Sequence, residues 1–122
     1  MINSVTVCGN LTRDSELNYT QGGTPVLKVG IAVNERVKDG DEWTDRANFF
    51  DAVMYGNRAE KLAAHLSKGN KVGITGKLRQ ERWQAQDGGN RSRVVIIVDD
   101  FEFMAAKADK PAQQYNDTDI PF

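Results

Sequence analysis

Apolar and polar positions alternate along most of this chain. Val5, Val7 and Gly9 alternate with Thr6 and Cys8 before Leu11-Thr12-Arg13-Asp14 breaks the pattern. A second extended piece, around Glu16–Tyr19, runs into a Gly22-Gly23 turn. Over Val26–Val33 the residues Leu27, Val29, Ile31 and Val33 share one face, and Lys28, Gly30 and Ala32 the other. Lys38-Asp39-Gly40-Asp41-Glu42 reads as a hairpin loop, and Ala47–Tyr55 as the next strand. A period of two is the mark of a half-buried strand, because successive side chains leave opposite faces.

One stretch changes period. Ala59, Leu62, Ala63 and Leu66 follow the i, i+3, i+4, i+7 spacing of an amphipathic helix. Asn57 is placed to cap its start, Glu60 to reach back, and Gly69 to take the left-handed C-terminal position. His65 falls at the polar edge of that helix, without the nucleophile or ligand cluster that a catalytic histidine needs. Strand patterns return over Lys71–Trp83 and Arg93–Phe103, separated by an Asp87-Gly88-Gly89 turn. Three strand regions, one helix and two strands is the order of the OB-fold, a five-stranded Greek-key barrel with its helix between the third and fourth strands. Residues 1–104 are expected to form this all-β domain, residues 105–116 a linker in a disordered C-terminal tail, and residues 117–122 a separate tip.

Composition narrows the class. A length of 122 residues suits one domain, and 39 % apolar content is lean, so association between copies would help its stability. No apolar run reaches the roughly 20 residues of a membrane span. The first ten residues have no basic flank, so they do not read as a signal peptide. The single cysteine, Cys8, excludes an internal disulfide, fits a reducing cytoplasm, and reads as a small apolar strand residue. The net charge of −1 conceals segregation. Residues 58–93 carry nine Lys or Arg against three acids, a local +6, and the rest of the chain is therefore −7. Such a patch fits a polyanion partner or a plain solvated face.

Candidate chemistry gathers on the strand Lys71–Trp83. Its even positions Val72, Ile74, Gly76, Leu78 and Gln80 read as mostly barrel-filling. Lys77, Arg79 and Trp83 then share the face that the core does not claim. A tryptophan among cations suits a surface that stacks bases while neutralising phosphates. Ala47–Tyr55 is apolar on both faces, with Phe49, Asp51, Val53 and Tyr55 on one and Phe50, Ala52 and Met54 on the other. One face should cover the core and the other a ligand or a second subunit; periodicity does not choose. Trp43, beside the hairpin loop, can close over a ligand or cover the barrel mouth.

Residues from Ala105 to Asn116 are poor in buriable side chains and read as a flexible linker of about 12 residues, spanning roughly 20 Å on average. Asp117-Thr118-Asp119-Ile120-Pro121-Phe122 follows. Two carboxylates, an apolar pair and a terminal Phe make a compact docking peptide.

The chain resembles the bacterial single-stranded DNA-binding protein family. The resemblance is carried by Gly9-Asn10-Leu11, Asn48-Phe49-Phe50-Asp51, Tyr55-Gly56, Ala59-Glu60, Leu66-Ser67-Lys68-Gly69 and Gly76-Lys77-Leu78-Arg79. Trp83 before Asp87-Gly88-Gly89 and the Asp-rich Ile120-Pro121-Phe122 end add to it. It spans residues 2–104 and returns in the last six. It implies an OB-fold, a homotetramer, no catalysis, no cofactor and no metal. It also implies sequence-nonspecific coating of single-stranded DNA in a cytoplasmic, nucleoid-associated setting. By position, Phe49, Tyr55 and Trp83 match the family's base-stacking aromatics. Lys68, Lys77, Arg79, Arg82 and Arg91 match its basic positions. Phe50 is assigned to a buried or intersubunit place. Asp117, Asp119, Ile120, Pro121 and Phe122 match the tip that recruits replication, recombination and repair proteins.

Two departures stand out. Val37 occupies a place where many relatives stack a tryptophan, and the linker is short. Both are compatible with a chromosomal protein or with a phage-encoded or accessory paralogue. Three rival readings fit the chain less well. An RNA-binding or primosome-type OB module lacks a reason for the acidic tip. A metal-dependent nuclease lacks a paired acidic cluster, since runs such as Asp99-Asp100 stand apart from other ligands. A pure protein adaptor leaves the basic aromatic strand unexplained.

Overall fold

The computed structural model describes residues 1–104. The linker and the acidic tip anticipated above lie outside the described residues. Six strand segments and one helix follow in order: β1 (Val5–Leu11), β2 (Glu16–Tyr19), β3 (Pro25–Asp39), β4 (Glu42–Tyr55), α1 (Asn57–Ala63), β5 (Lys71–Gln84) and β6 (Asn90–Phe103). The sheet order is β1-β5-β6-β4-β3-β2, and a further β1–β3 pairing at Asn10–Ala32 and Leu11–Ile31 closes it. β1 and β2 are one strand region broken at Thr12–Ser15, so the closed body is the expected five-stranded barrel. All its ladders are antiparallel except β4–β6, which is parallel at Ala52–Ile96 and Val53–Ile97.

The core follows from the alternation. Leu27, Val29 and Ile31 of β3 are fully buried, with Ala52 and Met54 of β4, Val72 and Ile74 of β5, and Ile96, Val98 and Phe101 of β6. Ala59 and Leu66 close one end of this cluster, as the helical stripe anticipates. Fully burying one such aliphatic side chain stabilises the fold by about 1.5–3 kcal/mol. The intervening residues Val26, Val53, Val95 and Ile97 form a smaller cluster on the opposite face of the same strands.

Several local expectations are corrected. The N-cap is Gly56, at φ 106°, and no side chain caps the helix; Asn57 is its first residue. Glu60 accepts a hydrogen bond from the Tyr19 hydroxyl, tying α1 to β2. The helix ends at Ala63, capped by Ala64, and Gly69 (φ 90°) serves the Ser67–Asn70 turn that follows.

The two long hairpins also outrun the barrel. β3 and β4 pair without interruption from Val26–Tyr55 to Asp39–Glu42, leaving a two-residue turn where Gly40 takes φ 68°. Their outer halves are exposed on both faces, so the ladder and not burial keeps them extended. β5 and β6 form a second arm beyond the irregularity at Thr75/Gly76. A side chain at Gly76 would sit 2.0 Å from the Ile97 carbonyl oxygen, so the close approach requires glycine. Beyond that point Leu78 is 47 % exposed and Gln80 is exposed, so the barrel-filling role of the even positions ends at Gly76. Phe50, opposite Ile31, is 41 % exposed and lies outside the core of its own chain.

Candidate nucleic-acid interface

The residues of β3, β4, β6 and β5 on the side away from the main core form one continuous face, with the buried Val26, Val53, Val95 and Ile97 at its middle. Across β3 and β4 the pairs are Val26–Tyr55, Lys28–Val53, Gly30–Asp51 and Ala32–Phe49. Across β6 and β5 they are Ile97–Lys77, Val95–Arg79, Arg93–Glu81 and Arg91–Trp83. The Val53–Ile97 pairing joins the halves. Tertiary structure therefore brings Phe49, Tyr55, Trp83, Lys77, Arg79 and Arg91 to one face, although Phe49 and Arg91 are 42 positions apart in the chain.

The three rings are open. Phe49 is 70 % exposed, Tyr55 43 % and Trp83 48 %. Their strands hold them out because the alternate positions on β4, Ala52 and Met54, are claimed by the core. An exposed ring costs hydration free energy unless a partner covers it. Lys77 and Arg79 make no ion pair among the described residues. Arg91 donates to Asp87 at 2.9 Å across the β5–β6 turn. Arg93, absent from the expected site set, is the most connected cation. Its Nε donates to Glu81 at 3.1 Å, an Nη lies 3.5 Å from Asp51, and its guanidinium carbon stands 6.0 Å from the centre of the Trp83 ring.

Two expected residues sit elsewhere. Arg82 alternates to the opposite face of β5, where it donates to Gln80 at 2.7 and 3.0 Å. The twist of the arm nonetheless lets it line a groove of about 500 Å³ with Trp83, Asn90 and Arg91. Lys68 lies in the turn between α1 and β5, its backbone N–H bonded to Asp14 at 2.8 Å, away from the four-strand surface. Trp43 stands near the tip of the β3–β4 arm, opposite Lys38 and 56 % exposed, so it does not cover the barrel mouth. Counted along β4, it is in phase with Phe49 and Tyr55. Lys28 and Arg13, also absent from the expected set, border this face. Alternation places Lys28 on it, but Arg13 sits in a strand break where no period applies.

Among the described residues, no group of three or more His, Cys, Asp or Glu side chains gathers to hold a metal ion. No described helix is long and apolar enough to cross a membrane.

A closed OB-type barrel with a basic, aromatic outer face and two projecting hairpins defines a class of oligonucleotide-binding folds. Within that class the Single-strand binding protein family matches residues 2–104, and the chain belongs to that family. It is 43 % identical over 117 residues to the single-stranded DNA-binding protein of Borreliella burgdorferi, covering 95 % of this chain and 78 % of the relative. To the Treponema pallidum protein of the same name it is 40 % identical over 105 residues, covering 86 % of this chain and 59 % of the relative. Its fold matches a Plasmodium falciparum SSB in complex with single-stranded DNA at TM-score 0.78. That match covers 86 % of this chain and 97 % of the other at 20 % identity.

Proposed function

We propose that this chain binds single-stranded DNA without sequence preference and coats it, performing no catalysis. The observation that supports this most is the common exposure of Phe49, Tyr55 and Trp83 on a face that also carries Lys77, Arg79 and Arg91. Unpaired bases stack on such rings at about 1–3 kcal/mol each, and every base has a face to offer. Lysine and arginine neutralise phosphates and release condensed counterions. Duplex DNA keeps its base faces stacked inside, so the same surface prefers the open strand and holds it from re-pairing.

Four copies would assemble through surfaces that include Phe50. The tip Asp117, Asp119, Ile120, Pro121 and Phe122 would recruit replication, recombination and repair proteins to the coated strand in the cytoplasm. The names of the bacterial relatives and the SSB–DNA complex with the same fold support the DNA-binding reading; the tetramer and the recruiting tip are supported by the residue-by-residue resemblance alone.

A titration of tryptophan emission with oligo-dT, repeated with duplex and with oligo-U competitors, tests the binding. Quenching that oligo-U and duplex reverse poorly is expected. Equal competition by oligo-U would favour an RNA-binding module, and cleavage of the strand in magnesium would favour a nuclease.

A further inference from the structure

Between the Phe49 and Tyr55 rings the outer face carries Asp51 opposite Gly30, then the buried Val53 opposite Lys28. The two rings are six residues apart on β4, about 20 Å of extended chain. A strand stacked on both must carry several phosphates across the surface between them. Asp51 occupies that interval, and each of its oxygens faces a different guanidinium. Arg13 Nη2 lies 3.5 Å from Oδ1, and Arg93 Nη1 lies 3.5 Å from Oδ2.

Arg13 reaches Asp51 by an unusual route. It leaves the break between β1 and β2 and lies flat across Gly30, the residue directly opposite Asp51 on β3. A methyl group at Gly30 would meet Arg13 Nη1 at 2.2 Å and Thr12 Oγ1 at 2.5 Å. The missing side chain is therefore the lane that admits the arginine. Lys28, on the same face of β3 and without an ion pair among the described residues, stands opposite Glu16 of β2. These side chains line a depression of about 200 Å³, with Arg13, Lys28 and Arg93 as its cations and Glu16 and Asp51 as its acids. A water molecule takes about 30 Å³ of liquid, so the depression accepts a phosphodiester group with a few waters.

We propose that Arg13, Lys28 and Arg93 form a phosphate subsite of the DNA path, in which Asp51 both positions the two guanidiniums and restrains affinity. The proposal rests on the single-stranded DNA reading above. Guanidinium groups bind phosphate oxygens in a planar, two-pronged fashion, and a pair already turned toward one point loses less freedom on binding. The carboxylate that turns them is itself an anion beside the incoming phosphate. Its pairs to Arg13 and Arg93 are weak, because all three side chains are 43–51 % exposed. Phosphate therefore competes with Asp51 for both arginines. Arg93 also reaches Glu81 and the Trp83 ring, so the subsite adjoins the stacking platform on β5.

The test is oligo-dT binding by the full chain over a range of salt, for wild type, Arg13→Ala, Lys28→Ala, Asp51→Asn and Glu102→Gln, with a thermal melt of each. Each lost phosphate contact should lower the slope of log K against log salt by about 0.7. Arg13→Ala and Lys28→Ala should each weaken low-salt binding about 2- to 5-fold. Asp51→Asn should strengthen it by a similar factor, fading at high salt, and by more than Glu102→Gln, which makes the same charge change on a different strand, β6. In the Arg13→Ala background the gain from Asp51→Asn should shrink, since the two residues share a contact. Wild-type slopes in both cation variants, or an Asp51→Asn gain no larger than that of Glu102→Gln, overturns the subsite while DNA binding stands. A wild-type chain that fails to bind oligo-dT at any salt overturns the functional reading and the subsite with it.

Discussion

Replacing Trp83 by alanine separates stacking from charge on this surface. The ring is 48 % exposed near the end of the β5–β6 arm, across from Arg91 and beneath the Arg93 guanidinium. Its removal leaves no cavity in the main core, whose members are all within or under the barrel. The folded state loses one exposed cation–π contact, about 0.5–1 kcal/mol, so the melting temperature should fall by only a few degrees. DNA loses one stacking platform, about 1–3 kcal/mol, or roughly 5- to 150-fold in Kd. No cation is deleted, so the salt dependence should keep its wild-type slope. Anisotropy of labelled oligo-dT measures both quantities, and it avoids the tryptophan signal that the substitution changes. Trp43 remains as a second reporter of whether the β3–β4 arm closes on the strand. Unchanged Kd in a folded Trp83→Ala protein refutes the assignment. Weakened binding with a reduced slope refutes the separation, by showing that the ring acts through Arg91 or Arg93.

Three further outcomes are expected. Phe50→Asp should leave a folded chain, because Phe50 is already 41 % exposed, yet reduce the sedimentation mass below that of a tetramer; a stable tetramer carrying the substitution would remove Phe50 from the interface. Deleting Asp117–Phe122 should strengthen DNA binding modestly at low salt and abolish capture of replication or repair proteins, with Phe122→Ala the most damaging single change; capture at full strength by the truncated chain would end the docking role. The Tyr19 hydroxyl donates to Glu60, which raises its pKa above 10.0, chiefly through that bond, with further contributions from burial and the carboxylate charge. The bond's stabilisation is complete below the unfolded pKa and is lost as pH rises through the higher folded value. Tyr19→Phe should therefore abolish a small loss of stability that wild type shows above pH 10, as followed by melts across that range.

Much of the barrel was legible in the chain because burial imposes a period. Leu27, Val29 and Ile31 had to lie on one side of an extended segment, and Ala59, Leu62, Ala63 and Leu66 on one side of a helix. The same alternation set Trp83 beside Lys77 and Arg79, since all three occupy odd positions of one strand. The arms escaped this reading. From Asn34 to Ala47 both faces are wet, so no apolar rhythm marks the strand, and only the β3–β4 ladder shows that it continues. Leu78 and Phe50 have core chemistry and core phase, but they lie past the point where barrel walls enclose a side chain. The helix start shifted because Gly56 reaches a φ closed to most residues, making a side-chain cap at Asn57 unnecessary.

Sequence alone determined which residues of a regular strand share a side, because that depends only on the pleat. It did not say which side of β4 meets the core, nor that the irregularity opposite Thr75/Gly76 brings Phe101 into the core with Ile96 and Val98. Tertiary structure decided which strands stand side by side. The parallel join of β4 to β6 placed the rings of Phe49 and Tyr55 on a common surface with Trp83, and no local pattern encodes it. The fold likewise steered Arg13 over Gly30 to Asp51, an encounter between residues 38 positions apart. Long-range pairings of this kind are set by closure of the whole barrel, where hydrogen-bond ladders and a shared core must be satisfied together.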